Sequence, residues 1–194
     1  GSAGVQQRGC GALQNLAADS AECRAAVAAA GGIKAVARGM GAHIGSAGVQ
    51  KFGCAALQNL AADSAERSAA VAAAGGIEAV VRGMGAHAGD VGVQELGCNA
   101  LASLTFQSDE RCAAVAAAGG IEAVLRGMGA HIGSGSVQRY GCGVLRNMSL
   151  RGCALAIRSA GGLAAIATAR KAFPSNADLT RNADGATKAI NRCK

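Results

Sequence analysis

A sequence period of 44 residues constrains the fold of this chain more than any other feature. The nonapeptide AAVAAAGGI occurs three times without change, at residues 25–33, 69–77 and 113–121. A fixed period of this length is typical of solenoids and propellers, in which each repeat is one structural unit. A fourth Gly pair, Gly161 and Gly162, follows the third pair after 42 residues. The last unit is therefore predicted to be two residues shorter.

The apolar residues within a unit have the spacing of a helix. Positions i, i+4, i+7, i+8 and i+11 share one helix face, and in the second unit they are Val49, Gly53, Ala56, Leu57 and Leu60. Aromatic residues make up only 2% of the 194, and Trp is absent. Strands favour aromatic and β-branched residues, so the composition argues against a propeller and predicts an all-α solenoid.

Each unit also carries start and stop signals for two shorter helices. Asp63 and Ser64 are candidate N-caps of the first, with Glu66 in its first turn and Gly75 at its end. The following stretch GIEAVVRGMGAH predicts a second helix, which a Gly-rich loop ends. With the longer amphipathic helix, a unit contains three helices.

The run VQKFGCAALQNLAADSAERSAAVAAAGGIEAVVRGM, residues 49–84, resembles an armadillo repeat. The shared signals are the VQ…AL.NLA helix, the E.R.A…AGGI turn and the apolar helix after it, and they recur over essentially the whole chain. The resemblance implies a right-handed α-solenoid of three-helix repeats. It implies a short first helix at residues 64–74, a second at 76–86 and a long third at 92–105, with a final helix near 177–192.

The resemblance also divides the chain, which we expect to be a single armadillo-repeat domain over residues 1–194. Residues 1–18 would be the third helix of a truncated repeat, and three repeats would follow at 19–62, 63–106 and 107–150. Residues 151–194 would form a degenerate C-terminal capping repeat. Polar residues such as Asp184 and Thr187 replace core residues there, as a terminal repeat requires for solubility.

Two departures from the armadillo pattern involve small residues. The family's Trp, one turn before the Asn of NLA, is replaced by Gly11, Ala55, Asn99 and Gly143. The family's Leu in the second helix is replaced by Gly39, Gly83 and Gly127. Each such Gly costs about 0.5–1 kcal/mol of helix stability relative to Ala. We expect these glycines to allow closer contact between helices.

The third helix carries the candidate binding site, because one of its faces differs between units that are otherwise nearly identical. In armadillo proteins this face lines the concave groove, where Asn holds the backbone of an extended peptide through its amide donor and acceptor. By resemblance, the ladder positions are Asn15, Asn59, Ser103 and Asn147, with Ser103 as a break. The positions that would select partner side chains are Arg8, Phe52, Leu96 and Tyr140, with Gln14, Gln58, Ala102 and Arg146 beside the ladder. Free drift of solvent-facing positions between duplicated units is the alternative explanation.

The formal net charge of +7 is concentrated at the C-terminal end. From Arg139 onward, ten Lys or Arg stand against two Asp, a balance of +8, and the preceding part has −1. A basic surface favours an acidic protein or peptide partner. Nucleic acid is the less favoured partner, because no base-reading motif and no interleaved aromatic residues accompany the charge. A solvated face that keeps the end soluble explains the charge equally well.

Nothing in the sequence favours catalysis, so we expect a protein that is not an enzyme and uses no cofactor or metal. The histidines, His43, His87 and His131, lie one repeat apart, too far to ligate one metal ion. The segment GMGAHIG follows a helix instead of a strand and lacks the Lys-Ser/Thr ending of a phosphate-binding loop.

The cysteines and the hydropathy pattern predict where the protein resides. Four of the eight cysteines recur at the repeat spacing inside apolar helix patterns, at Cys10, Cys54, Cys98 and Cys142. Such thiols behave as small buried apolar groups, which favours reduced cysteines and an intracellular location, cytoplasmic or nuclear. No apolar run approaches the roughly 20 residues of a membrane span.

The sequence therefore predicts a non-enzymatic interaction scaffold that binds an extended peptide in its concave groove. One alternative is an assembly module that stacks end to end, and another is a basic nucleic-acid-binding module. The beginning of the chain has no counterpart to the polar C-terminal repeat. We expect its exposed N-terminal edge to pack against repeats upstream of Gly1 or to self-associate.

Overall fold

The computed structural model describes residues 1–193, and Lys194, which contributes to the basic C-terminal stretch, lies outside them. Within the described residues the regular structure is helical. The helices are α1 (Ala3–Asp19), α2 (Ala21–Ala29), α3 (Gly32–Ala42), α4 (Ala47–Ala61), α5 (Ala65–Ala73), α6 (Gly76–Ala86), α7 (Val91–Thr105), α8 (Asp109–Ala117), α9 (Gly120–Ala130), α10 (Gly135–Met148), α11 (Ala154–Ser159), α12 (Gly162–Ala172) and α13 (Ala177–Arg192). The three-helix unit expected from the sequence is thus observed, with the helix bounds within one residue of those predicted in the second unit.

Side-chain caps fix where the helices begin. The Ser64 hydroxyl accepts a hydrogen bond from Arg67 N and starts α5, and Asp63, the other candidate, has a left-handed φ of 55° that turns the chain into the cap. The equivalent caps of α2 and α8 are Ser20 and Ser108. The longer helices start in the same way, at Ser2, Ser46, Asp90, Ser134 and Asn176. Each cap satisfies a backbone N–H that has no partner inside its helix.

The two glycines of the repeated nonapeptide have different structural roles. Gly75 joins α5 to α6 with φ 76°, a conformation that glycine adopts without strain. Gly76 sits against the preceding helix, since a Cβ there would lie 2.6 Å from Val71 Cγ1 and 2.8 Å from the Val71 carbonyl oxygen. The same pair of constraints recurs at every other Gly-Gly junction, at Gly31–Gly32, Gly119–Gly120 and Gly161–Gly162.

The long helices α1, α4, α7, α10 and α13, which we call the third helices, lie side by side as one layer. The short helices pack on them, and a continuous core of Ala, Val, Leu, Ile, Met and Cys runs through all units. Small residues allow this close packing. A Cβ on Gly97 would lie 2.5 Å from Met84 Cγ.

A buried glutamine links each of the third helices α4, α7 and α10 to the second helix before it. The Gln50 Nε2 donates to Met40 O at 2.9 Å and to His43 O at 3.1 Å, which caps the C-terminus of α3. The same side chain lies against Gly83, where a Cβ would be 2.6 Å from Gln50 Oε1. The close contact expected of the second-helix glycines is therefore present, and a side chain of the neighbouring repeat occupies the space.

The last unit departs from the other three at its first turn. A wide bend, Ser149–Cys153, replaces the Ser-capped start of the first helix, and Gly152 turns the chain with φ 86°. This bend is where the unit is two residues shorter. No single described helix is long and apolar enough to cross a membrane, although three bent helix pairs meet the length and composition requirement together.

Candidate partner-binding face

The variable side chains of the third helices lie on one face of the layer, and the structure leaves them unequally accessible. Arg8 and Asn15 on α1 are exposed. Phe52, Leu96 and Tyr140 on the next three third helices are half-buried and pack against the core. They are therefore less accessible to a partner than fully exposed anchor residues would be, and the Phe52 ring leans toward the preceding third helix.

The small residues at the family's Trp position account for this leaning. The Phe52 ring lies over Gly11, with Phe52 Cδ1 3.8 Å from where a Cβ of Gly11 would be. At the other end of the layer, the Asn182 amide nitrogen is 3.4 Å from the equivalent point of Gly143. A side chain from the next repeat thus takes the space that the Trp side chain would fill.

Two members of the predicted asparagine ladder (Asn15, Asn59, Ser103, Asn147) bridge neighbouring third helices. Asn59 Nδ2 donates to Gln14 O at 3.1 Å, and Asn147 Nδ2 donates to Ala102 O at 3.0 Å. These bonds fix the rotation of each amide group. No hydrogen bond within residues 1–193 uses either amide oxygen. The side chain of Asn15, on the first helix, makes no hydrogen bond in the described part of the chain.

At the break in the ladder, the bridge between α4 and α7 is missing. Ser103 is too short to reach Gln58 O, the carbonyl equivalent to those that Asn59 and Asn147 reach. No side-chain donor within residues 1–193 bonds to Gln58 O, and Ala62 N, its regular helical donor, bonds to Asn59 O instead. A depression of about 640 Å³ opens at this place. We call it the anchor pocket, and its walls include Ala61, Ala62, Ala102, Ser103, Phe106 and Tyr140.

The C-terminal part of the same face is basic. The Arg139 guanidinium lies 4.1 Å from the centre of the Tyr140 ring. The Arg146 side chain lies across Gly185 of α13, its Nε 2.7 Å from the position of a Cβ there, and it forms no ion pair within the described residues. Lys188, one turn further along α13, is exposed. The cations at this end of the face are Arg139, Arg146 and Lys188.

Ion pairs neutralise part of the remaining C-terminal charge. Arg170 pairs with Asp184 at 2.9 Å and Arg181 with Asp178 at 3.0 Å. Arg151 pairs with Asp109 of the preceding unit. Of the six described Lys and Arg of this stretch that form no ion pair, three lie on the third-helix face: Arg139, Arg146 and Lys188.

Solved structures reproduce this architecture. The crystal structure of an engineered protein from the Northeast Structural Genomics Consortium has a TM-score of 0.82 at 23% identity, covering 98% of this chain and 76% of that one. A designed armadillo repeat protein matches with a TM-score of 0.68 at 16% identity over 95% and 93%. A second designed armadillo repeat protein, in complex with the peptide (KR)4, matches with a TM-score of 0.58 at 16% identity over 92% and 90%.

The fold is an armadillo repeat solenoid. No protein-family model and no curated protein matches the chain, so the likeness in structure carries this conclusion. Two of the matching structures are designed repeat proteins.

Two of the three histidines, His87 and His131, have structural partners. His87 Nε2 lies 2.7 Å from Ile44 O, and His131 Nε2 lies 2.8 Å from Ala88 O, so each ring joins its loop to the loop of the preceding repeat. Among residues 1–193, no group of three or more His, Cys, Asp or Glu is placed to hold a metal ion.

All eight thiols of the solenoid are free. Burial raises the pKa of Cys54, Cys98 and Cys142 to about 12, which makes them poor nucleophiles because the thiolate is the reactive form. The cysteines at the repeat spacing are core residues, as their sequence pattern predicts.

The N-terminal edge of the solenoid exposes apolar side chains that are buried in every later unit. Val5 is 67% and Leu16 is 50% exposed, whereas their equivalents Val49 and Leu60 are fully buried. A depression of about 530 Å³ lies between α1, α2 and the start of α3. Its apolar walls include Leu13, Leu16, Ala26, Val27 and Ala30.

Sequence reasoning missed two groups that shape the face. Arg67 donates through Nε to Leu60 O and through Nη2 to Ala62 O, which caps the C-terminus of α4 beside the anchor pocket. Phe106, at 56% exposure, forms part of the pocket wall. The recurrence of Arg at 67 and 111, one period apart, is a usable signal for the first group. Phe106, found in one unit only, gave no periodic signal.

Proposed function

We propose that this armadillo solenoid is a non-enzymatic scaffold that binds an extended peptide segment along the third-helix face. The observation that carries the proposal is the geometry of Asn59 and Asn147. The preceding third helix holds the nitrogen of each amide, through one hydrogen bond in Asn59 and through two in Asn147, while the oxygen has no protein partner in the described chain. Such an oriented amide can bond to the backbone of an extended peptide without first losing side-chain freedom.

Selection from a displayed library of random 12-residue peptides, followed by titration calorimetry of the selected sequences, tests this function. The variant Asn59→Ala/Asn147→Ala is expected to bind the selected peptides at least about tenfold more weakly, as for loss of central interface residues. Asn191→Ala, at an exposed position near the end of α13, is the matched control and should bind as the parent does. Unchanged binding by the double variant, or a library without binders, would refute the proposal that the third-helix face binds an extended peptide.

A second function, assembly through the N-terminal edge, is favoured by the exposed apolar residues there. The structure disfavours a head-to-tail arrangement, because the last unit presents Lys and Arg at its outer surface. We therefore propose an isologous contact, edge to edge, between two copies. Light scattering over a range of concentrations should show dimers that Leu16→Glu abolishes. Leu155→Glu, at an equally exposed leucine in α11 (54%), should leave the dimers intact; a monomer at all concentrations would reject assembly.

A further inference from the structure

The break at Ser103 distinguishes α7 from α4 and α10, which carry Asn59 and Asn147 at the ladder position. Where Asn stands, the amide fills the space between two third helices and satisfies a carbonyl of the first. Where Ser103 stands, both the filling and the donor are missing, and the anchor pocket lies at this point. Ala102 enlarges the gap, because the first two units carry Gln at the corresponding position.

The chemistry of the anchor pocket indicates what fits it. Alanines from α4, α5 and α7 form apolar walls, and the rings of Phe106 and Tyr140 stand at its sides. Aromatic rings attract one another in offset or edge-to-face arrangements worth more than their buried area. The Gln58 carbonyl oxygen receives no hydrogen bond from a described side chain. It can therefore accept one from an N–H of the ligand. An indole ring combines a large apolar surface with one N–H donor.

The basic cluster on the same face adds a second requirement. Arg139 adjoins Tyr140 at the edge of the pocket. The Arg146 side chain reaches across Gly185 of α13, and Lys188 lies on α13, two third helices beyond Ser103 on α7. Neighbouring helices pack about 10 Å apart, and an extended chain advances about 3.3 Å per residue. About six residues therefore separate a side chain in the pocket from one that reaches Arg146.

We propose that the scaffold selects an extended peptide with one tryptophan for the anchor pocket and a cluster of acidic residues about six positions away. This inference rests on the proposed peptide-binding function and specifies its partner. A single-stranded nucleic acid could stack a base on the same rings. A peptide is favoured because the free amide oxygens of Asn59 and Asn147 match backbone N–H groups, and because Glu95 lies on the same face of α7.

The test uses fluorescence anisotropy with labelled 12-residue peptides. The reference peptide has one Trp, a Gly-Ser spacer of five residues and four Asp or Glu, prepared in both chain directions. Comparison peptides replace Trp by Gly or Phe, or the acidic residues by Ser. The peptide (KR)4 and a 12-nucleotide single-stranded DNA are the other probes. The Trp-acid peptide is expected to bind at least about tenfold more tightly than its Gly counterpart, with the Phe peptide between them.

Two variants fill the pocket. Ser103→Asn restores the ladder residue, and Ala102→Gln restores the residue of the first two units, so one serves if the other does not fold. Either should abolish the preference for Trp over Gly while leaving the Gly peptide unaffected. Ser175→Asn, in the exposed loop before α13, is the matched control. Arg146→Ala should reduce binding of the acidic peptide and its dependence on salt.

The outcomes separate the inference from the proposed function. If Ser103→Asn leaves the Trp preference intact, or raises the affinity for all peptides equally, the pocket is not an anchor site and the inference is wrong. Binders from the library would in that case still support the proposal that the groove binds peptides. If (KR)4 binds as tightly as the Trp-acid peptide, the requirement for acidic residues is refuted. If the DNA binds more tightly than the Trp-acid peptide, the proposal of a peptide partner is refuted. Absence of binding by every peptide, library sequences included, would overturn both proposals.

Discussion

The Gly-Gly junction allows a sharp test of how the solenoid is held together. Replacing Gly76 by Ala adds a Cβ that would lie 2.6 Å from Val71 Cγ1 and 2.8 Å from the Val71 carbonyl oxygen. The carbonyl belongs to the last turn of α5 and cannot rotate away. Overpacking of this kind costs about 1–3 kcal/mol, and the helix propensity of Ala returns up to about 1 kcal/mol. A net loss of about 1–2 kcal/mol is expected.

Gly85, in the same helix, provides the matched control. A Cβ at Gly85 meets nothing within 4 Å, so Gly85→Ala should gain about 0.5–1 kcal/mol from propensity alone. The two variants have the same composition and differ only in position. Because 1 kcal/mol corresponds to about 2–4 °C for a chain of this size, their Tm values should differ by about 3–12 °C.

Thermal unfolding followed by circular dichroism measures this difference, and denaturant titration gives the free energies of unfolding. Peptide binding by both variants should match that of the parent protein, since neither glycine lies on the third-helix face. The reasoning fails if Gly76→Ala is as stable as Gly85→Ala, because the close approach of α5 and α6 would then not limit what position 76 accepts.

Further predictions concern the links between units. Asn59→Ala should lower the free energy of unfolding by about 1 kcal/mol through loss of its bond to the preceding helix, whereas Asn15→Ala, without such a bond, should change it by less than about 0.5 kcal/mol; equal effects would contradict the bridging role. Arg67→Lys should destabilise by about 1–2 kcal/mol, because Lys cannot cap two carbonyls at once, and Arg82→Lys, at an exposed site of α6, should be neutral in the same denaturation assay. In the native protein at pH 8, a thiol reagent should modify the partly exposed cysteines first and the core cysteines only after unfolding; early modification of the core set would be inconsistent with their burial. The partly exposed cysteines are Cys23 and Cys193, and the core set is Cys54, Cys98 and Cys142.

Much of the solenoid could be predicted from the sequence because its signals are local and repeated. The period, the Ser64 cap and the Gly75 turn each depend on a few neighbouring residues. The wide bend at Ser149–Cys153 was predicted only as a deficit of two residues. Its shape depends on how α10 and α11 pack, which local signals do not specify.

The candidate face was less predictable than the helices that carry it. The sequence indicated which residues lie on it, but not that Asn59 and Asn147 bond to the preceding helix or that Phe52 covers Gly11. These contacts join residues about one period apart, and no neighbour in sequence reveals them. The sequence indicates Ser103 as a break in the ladder. The pocket behind it also depends on Ala102 and on the Gln58 carbonyl, to which no described side chain donates a hydrogen bond.

The links between units have a consequence for how such a protein changes over time. His87 and Asn59 each bond to the unit before them, and the contact made by one unit is the contact that the next one needs. Duplication or deletion of one whole unit in the gene would therefore preserve every junction. Mutation at a ladder position, in contrast, changes one residue of the ladder and leaves the other ladder residues unchanged. Length and selectivity can then evolve separately, the first in steps of a full unit and the second by single substitutions such as the one that placed serine at position 103.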